Sequence, residues 1–181
     1  MSLLIAGLLL WSVHLIPSLA EGVKLRWVGR LGEKLYATSF AVLVACGLAL
    51  VIIGWRSTPP VTVYSPPDAL LPVTTFLMIA AFLLFVGSIH ATRIKRFVRH
   101  PQLTGIVVWA TAHLLAVGDT RDILLFGWLG IWAILEMIFI NRRDGEWIKP
   151  DPPSWAIEGR FVVISLAAFS IVAYLHLHIG A

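Results

Sequence analysis

Apolar residues run along this chain in six long blocks, separated by shorter polar stretches that carry glycine, proline and charge. Each block approaches the ~20 residues that an α-helix needs to cross ~30 Å of hydrocarbon. None alternates with the period of two that is typical of a membrane β-barrel strand. The backbone hydrogen bonds must therefore be made within helices. The pattern predicts an all-α, polytopic membrane protein with six transmembrane helices in one bundle, over residues 2–20, 36–55, 70–90, 101–117, 122–140 and 160–179.

Composition excludes an ordinary water-soluble domain. Hydrophobic residues make up 59% of the chain and charged residues 13%, and the mean hydropathy is +0.87. The six blocks leave no room for a separate soluble unit, so we expect residues 1–181 to form a single transmembrane domain in a lipid bilayer. The first block lacks the basic start and the small-residue cleavage site of a signal peptide, which predicts a retained helix.

Basic residues concentrate in alternate loops. By the positive-inside rule, these loops are expected in the cytoplasm and both termini on the other side of the membrane. The net charge of +4 then reflects the basic residues that set the orientation of the helices in the membrane. No basic face interleaved with aromatic residues is present, so no nucleic-acid partner is expected. The three basic loops carry Lys24, Arg26, Arg30 and Lys34; Arg93, Lys95, Arg96 and Arg99; and Arg142, Arg143 and Lys149.

Two histidines lie deep inside predicted helices. His14 is about 20 Å from the outer end of helix 1, and His113 about 18 Å from the inner end of helix 4. An intramembrane imidazole is costly without a partner, and two on antiparallel helices can ligate both faces of one haem iron. Trp109 and Ala110 share the face of His113, where a small residue admits a flat macrocycle and an indole can stack on it. Ordinary packing residues of a membrane bundle are the alternative.

A second histidine opens helix 4. His100 is about 20 Å from His113 along that helix, so the two cannot hold the same iron. Beside Arg99 and before Pro101, it occupies a helix N-terminus, which favours an anion such as a lipid phosphate or a ligand carboxylate. A polar residue that merely starts the helix is the alternative.

Glu136 is the other ionisable group within a predicted span. We expect it to be protonated, paired with a basic group such as His90 or Arg93, or hydrated. Because Glu136 is one turn from the cytoplasmic end of helix 5, the simplest arrangement is a side chain that extends toward water. It is a second candidate site residue, after the two deep histidines.

Several tracts share one resemblance: Arg99-His100-Pro101-Gln102-Leu103-Thr104-Gly105, Trp109-Ala110, Ala112-His113-Leu114-Leu115-Ala116, Gly118-Asp119, Arg142-Arg143, and His14 with Pro17-Ser18-Leu19-Ala20. Over nearly the whole chain they resemble the NnrU family of bacterial membrane proteins, a resemblance that implies a bacterial inner membrane. The family includes the plant 15-cis-zeta-carotene isomerases, which are integral membrane haem b proteins.

The resemblance implies a cofactor and a setting. In the isomerase branch two histidines are axial haem ligands, and they correspond to His14 and His113. The NnrU branch is associated with nitrite and nitric oxide reduction, so the resemblance implies a redox-active haem b protein of denitrification. A haem-dependent cis-trans isomerase of a carotenoid is one alternative. The implied partner is a respiratory reductase or a hydrophobic small-molecule substrate.

Two further alternatives stay open. Arg99-His100-Pro101, with the Arg142-Arg143-Asp144 tract after helix 5, is similar to membrane methyltransferases that hold S-adenosylmethionine at the cytoplasmic face. The paired glutamates of that motif are replaced here by Asp144 and Glu146. The other alternative is a non-catalytic assembly factor for a respiratory enzyme.

Overall fold

The computed structural model describes residues 2–179, and the side chains of that range except those of residues 2–6, 8, 11, 17, 18 and 179. Pro17 and Ser18, which carry part of the family resemblance, therefore lie outside the described side chains. The all-α prediction is confirmed, since the described range holds no strand beyond a single bridge between Thr62 and Asp119. The helices are α1 (Ser2–Leu19), α2 (Glu21–Ser57), α3 (Leu71–Ile89), α4 (Pro101–Leu114), α5 (Thr120–Asp144) and α6 (Trp155–Ile179), with short 3₁₀ turns at Asp68–Leu70 and Arg93–Arg96.

Four of the helices that the structure describes are long and apolar enough to cross a membrane, in place of the six predicted: α2, α3 with its preceding turn, α5 and α6. α4 has 14 residues, or about 21 Å, which is too short for the hydrocarbon core. It ends three residues before the predicted end because the next segment turns away. There the carbonyl of Gly118 accepts hydrogen bonds from Val63 and Tyr64.

The predicted loop between the first two helices is helical instead. α2 starts at Glu21 and changes direction at Gly32, whose φ of 77° and ψ of 163° lie in a region that only glycine adopts without strain. The stretch before this kink carries Arg26 and Arg30 beside Trp27. Such a basic and aromatic segment suits the membrane–water interface, where it extends the helix past the bilayer core.

The most extensive contacts among the described helices are of α2 with α1, α1 with α5, α5 with α4, α4 with α3, and α3 with α6. α2 also reaches α5, where Nε1 of Trp55 donates to Oδ1 of Asp122 at 3.2 Å. Small residues form the contacts. A Cβ on Gly7 would lie 3.0 Å from the ring of Trp128, and one on Gly105 would lie 2.8 Å from the ring of Phe85. Close backbone approach through small residues is the usual basis of helix packing in lipid.

The basic loops meet at one end of the bundle, as the charge pattern predicts. Arg99 Nη1 donates to the carbonyl of Gly145 at 2.7 Å, and Arg93 Nη2 to that of Pro153 at 3.1 Å. Glu21, at the start of α2, interacts electrostatically with Arg143 at the same end. The other end holds the bridge between the 58–67 segment and the start of α5. We refer to the end that carries the basic loops as the basic end.

Candidate functional site

His14 lies between three helices. Its Nδ1 is 3.0 Å from the carbonyl oxygen of Leu10, one turn earlier on α1. The ring is edge-on to Phe40 of α2 and to Trp132 of α5, with centroid distances of 6.0 and 5.3 Å. Because a carbonyl can only accept, Nδ1 carries the proton and the lone pair is on Nε2. His14 is thus held in the tautomer that suits ligation through Nε2.

His113 occupies the last turn of α4. Its Nδ1 is 2.9 Å from the carbonyl oxygen of Trp109, which again places the lone pair on Nε2. The imidazole lies face to face on Phe126 of α5, with centroids 4.2 Å apart and an angle of 21° between the planes. Trp109 packs edge-on to both rings, at 4.9 and 5.1 Å. One face of the His113 imidazole, a predicted iron ligand, is therefore covered by the ring of Phe126.

Ala110, predicted to admit a flat cofactor, lies against another helix. It is buried, and its Cβ is 3.7 Å from the position that a Cβ of Gly130 would occupy. Ala116 and Val117 lie beyond the end of α4, where their N–H groups bond to the carbonyl of His113. In this arrangement the small residues near His113 pack α4 on α5, in keeping with the packing alternative.

His14 and His113 contact different faces of α5. They contact it through Trp132 and Phe126, which are six positions apart, so these contacts differ by about 120° around the helix and about 9 Å along it. Gly130, one turn after Phe126, lies on the side of α4 as well. α1 and α4 thus pack on different faces of α5.

Each histidine can offer Nε2 to haem iron as a single ligand. A shared iron would need both Nε2 atoms within about 4 Å of each other. Packed helix axes lie about 8–10 Å apart, and α1 and α4 both pack on α5, so joint ligation of one iron stays a prediction. In the described residues, no cluster of three or more His, Cys, Asp or Glu side chains provides a separate metal site.

Two unpartnered polar atoms lie on the α1 side of α5. The side chain of Glu136 is buried, and its Oε2 has no hydrogen-bond partner in the described structure; the same holds for Nε1 of Trp132, one turn earlier. Buried polar atoms are rarely left unpaired, so these two mark a place where a ligand or water completes the structure. Trp132 is also the residue that contacts His14.

The expected partners of Glu136 are engaged elsewhere, so the predictions of an ion pair and of an outward-reaching side chain are wrong. Arg93 pairs with Glu158, with Nε and Oε1 4.0 Å apart. His90 is bonded through Nδ1 to the carbonyl of Val86 at 3.0 Å. The 3₁₀ turn after α3 carries Arg93 to the start of α6, where it contacts Glu158 and Trp155.

At the basic end, the start of α4 meets the end of α5. His100 Nε2 is 2.9 Å from Oδ1 of Asn141, so the imidazole donates to the amide oxygen. Arg99 bonds to the carbonyl of Gly145, and Gln102 lines the same pocket as these two residues. The tracts that resemble the methyltransferase motif are thus adjacent, while S-adenosylmethionine binding stays a prediction.

Sequence reasoning missed Trp132, Phe126 and Asn141. Trp132 and Phe126 read as ordinary apolar residues of a span, because periodicity cannot show which helix covers which face. Asn141 had a usable signal: it is a polar residue in the last turn of α5, and antiparallel packing of α4 on α5 sets it opposite the first residues of α4.

Comparison with known proteins identifies the family. The model of the family described as NnrU protein matches residues 3–181. The match spans nearly the whole chain, so the chain belongs to the NnrU family, as the sequence tracts indicated. No curated protein matches the chain, and no solved structure matches it either.

Proposed function

We propose that this member of the NnrU family is an integral membrane haem b protein of nitrite and nitric oxide metabolism, in which a single imidazole, that of His14, holds the iron. The observation that carries the proposal is that His14 and His113 contact different faces of α5, through Trp132 and Phe126. This arrangement favours a single axial imidazole over the pair that the family resemblance implies.

His14 is preferred over His113 because of its surroundings. It lies among α1, α2 and α5, next to Trp132, whose Nε1 is a buried donor with no described partner. By contrast, His113 is stacked on Phe126 and lies nearer the end of α5 that is away from the basic loops. The unpartnered polar atoms of Trp132 and Glu136 thus support a ligand on the His14 side.

The residues around His14 have distinct roles in this proposal. The bond from Nδ1 to Leu10 fixes the tautomer and the ring orientation, so Nε2 is the ligating atom. The rings of Phe40 and Trp132 cover part of the imidazole. When bound through one imidazole, haem b supplies a redox-active iron with an open coordination position, which suits a diatomic ligand such as nitric oxide.

The test compares His14→Ala with His113→Ala, both purified from haem-replete cells. We expect the unaltered protein to carry about one haem b per chain with a high-spin spectrum. His14→Ala should lose most of the haem, and His113→Ala should retain it. Full haem in both variants, or no haem in the unaltered protein, would exclude haem binding by these residues. Loss in both variants, with a low-spin spectrum of the unaltered protein, would contradict the single ligand.

A further inference from the structure

A pocket of about 410 Å³ opens at the basic end, where α3, α4 and α5 meet. Pockets of this size hold small molecules or the polar part of a larger amphiphile. We call it the α4 pocket. Its lining comes from the end of α3, the 3₁₀ turn, the first turn of α4, the last turns of α5 and the loop after it: Ser88, Lys95, Arg99, His100, Pro101, Gln102, Leu103, Ile140, Trp147 and Pro150.

The charge of the α4 pocket has one sign. Lys95 and Arg99 are cationic, His100 is a third basic group, and no acidic residue is in the lining. Asp144 interacts electrostatically with Arg99 and His100, but its carboxylate is already bonded to Arg143 at 2.7 Å. The pocket therefore favours an anion.

The backbone adds further donors. α4 is 14 residues long, and no side chain caps its N-terminus. Pro101 has no N–H, so the first free donors belong to Gln102 and Leu103, both of which line the pocket. Uncapped N–H groups with basic side chains around them suit a tetrahedral oxyanion, since several donors converge on it.

The basic side chains are held in place from α5. The bonds of His100 to Asn141 and of Arg99 to Gly145 each use one donor and fix the side chain. For His100, the bond to Asn141 uses Nε2–H, so in the neutral imidazole Nδ1 is an acceptor that can meet only a protonated oxygen of a phosphate. For Arg99, the planar fork retains donors beyond Nη1, which can bind a phosphate in a bidentate manner.

The apolar part of the lining indicates what else the ligand carries. Leu103 and Ile140 belong to helices of the bundle, and Trp147 lies in the loop beside them. Tryptophan is typical of the membrane interface. We propose that the α4 pocket binds the phosphate group of an anionic molecule, either a lipid headgroup or a free phosphate ester. This inference is independent of haem and of His14.

The test uses the full-length protein in phosphatidylcholine nanodiscs. One arm titrates inorganic phosphate, and the other adds phosphatidic acid to the bilayer, with thermal unfolding and isothermal calorimetry as readouts. Arg99→Gln is compared with Arg96→Gln, a neighbour that does not line the pocket. Lys95→Gln is a second pocket variant that leaves both bonds to α5 intact, in case Arg99→Gln folds poorly.

We expect saturable binding in at least one arm. Arg99→Gln and Lys95→Gln should weaken it about tenfold, as loss of a charged hydrogen bond does, while Arg96→Gln stays within about twofold. Saturation by phosphatidic acid alone assigns a lipid headgroup, and saturation by inorganic phosphate assigns a free phosphate ester. The proposal is overturned if neither probe saturates, or if Arg96→Gln weakens binding as much as the two pocket variants do.

Discussion

The imidazole of His113 lies flat on the ring of Phe126, with centroids 4.2 Å apart. This contact fixes the last turn of α4 on one face of α5, whereas His14 contacts a different face through Trp132. Phe126 thus sets the face of α5 that His113 contacts, and it is buried. Its removal should weaken the packing of α4 on α5 directly.

We therefore expect Phe126→Ala to destabilise the protein by about 3 kcal/mol, because a large buried ring is lost and a cavity remains. Phe76→Ala is the matched control, since that ring is 70% exposed and faces lipid in a membrane. Thermal unfolding in detergent measures both. Equal stability of the two variants would show that the stacked contact contributes little.

A second prediction concerns Gly118, which closes the turn between α4 and α5. A Cβ there would overlap the backbone carbonyl of Tyr64, which cannot move aside as a side chain can. Gly118→Ala should therefore cost about 2 kcal/mol or more of stability. Gly127→Ala meets nothing within 4 Å in the described structure and should be neutral or stabilising, as alanine favours a helix. The melting temperatures of the two variants decide the matter.

The ionisation of Asp119 leads to a prediction of how the stability of the fold depends on pH. Burial alone would raise the pKa of Asp119, but the N–H groups of Asp122 and Arg121 and the Arg121 guanidinium outweigh it and hold that pKa below its ordinary value. The carboxylate caps α5, accepting from these two N–H groups at 3.1 and 2.8 Å. A lowered folded-state pKa means that the charged form stabilises the fold above the unfolded value of about 4, and less as pH falls through the folded value.

Asp119→Asn should accordingly be less stable than the unaltered protein at pH 6 to 7, with the difference shrinking below about pH 4. Melting curves at several pH values measure this. A difference that stays constant down to pH 3 would contradict the charge-based account and leave only the loss of hydrogen-bond geometry.

Arg93 joins the loop after α3 to α6. It bonds to the carbonyl of Pro153, pairs with Glu158 and lies 3.8 Å from the ring centre of Trp155. Arg93→Gln should cost about 1–2 kcal/mol and loosen the start of α6. Limited proteolysis within residues 145–154 should be faster in Arg93→Gln than in Arg96→Gln. Equal cleavage rates would argue against this anchoring role.

At Glu136 we predict a substitution that increases the stability of the protein. Its buried Oε2 has no described partner, so replacing the carboxyl with an apolar side chain of similar size removes a polar burial cost. Glu136→Leu should raise the melting temperature of the haem-free protein in detergent, and Glu136→Gln should not. A fall of several degrees in Glu136→Leu would mean that the carboxylate is stabilised, with Arg143, which interacts electrostatically with Glu136, as a candidate partner.

Several features followed from local pattern. The apolar blocks predicted the helical class, and Pro101, at the first position of α4, predicted where that helix begins. The alternation of basic loops predicted that these loops share one end, and the contacts of Arg99 with Gly145 and of Arg93 with Pro153 confirm it. Each of these predictions depends on residues that are close together along the chain, or on how charge alternates from one loop to the next.

Other features depended on which helix packs on which, and no residue pattern contains that information. The sequence alone determined the helical class, the common end of the basic loops and the candidate residues His14, His113, His100 and Glu136. The tertiary structure decided that α1 and α4 both pack on α5. Depth along a helix can be counted from the sequence, but the direction that a side chain faces depends on the neighbour that buries it. For that reason the two histidines match in predicted depth, while packing places them against different faces of α5.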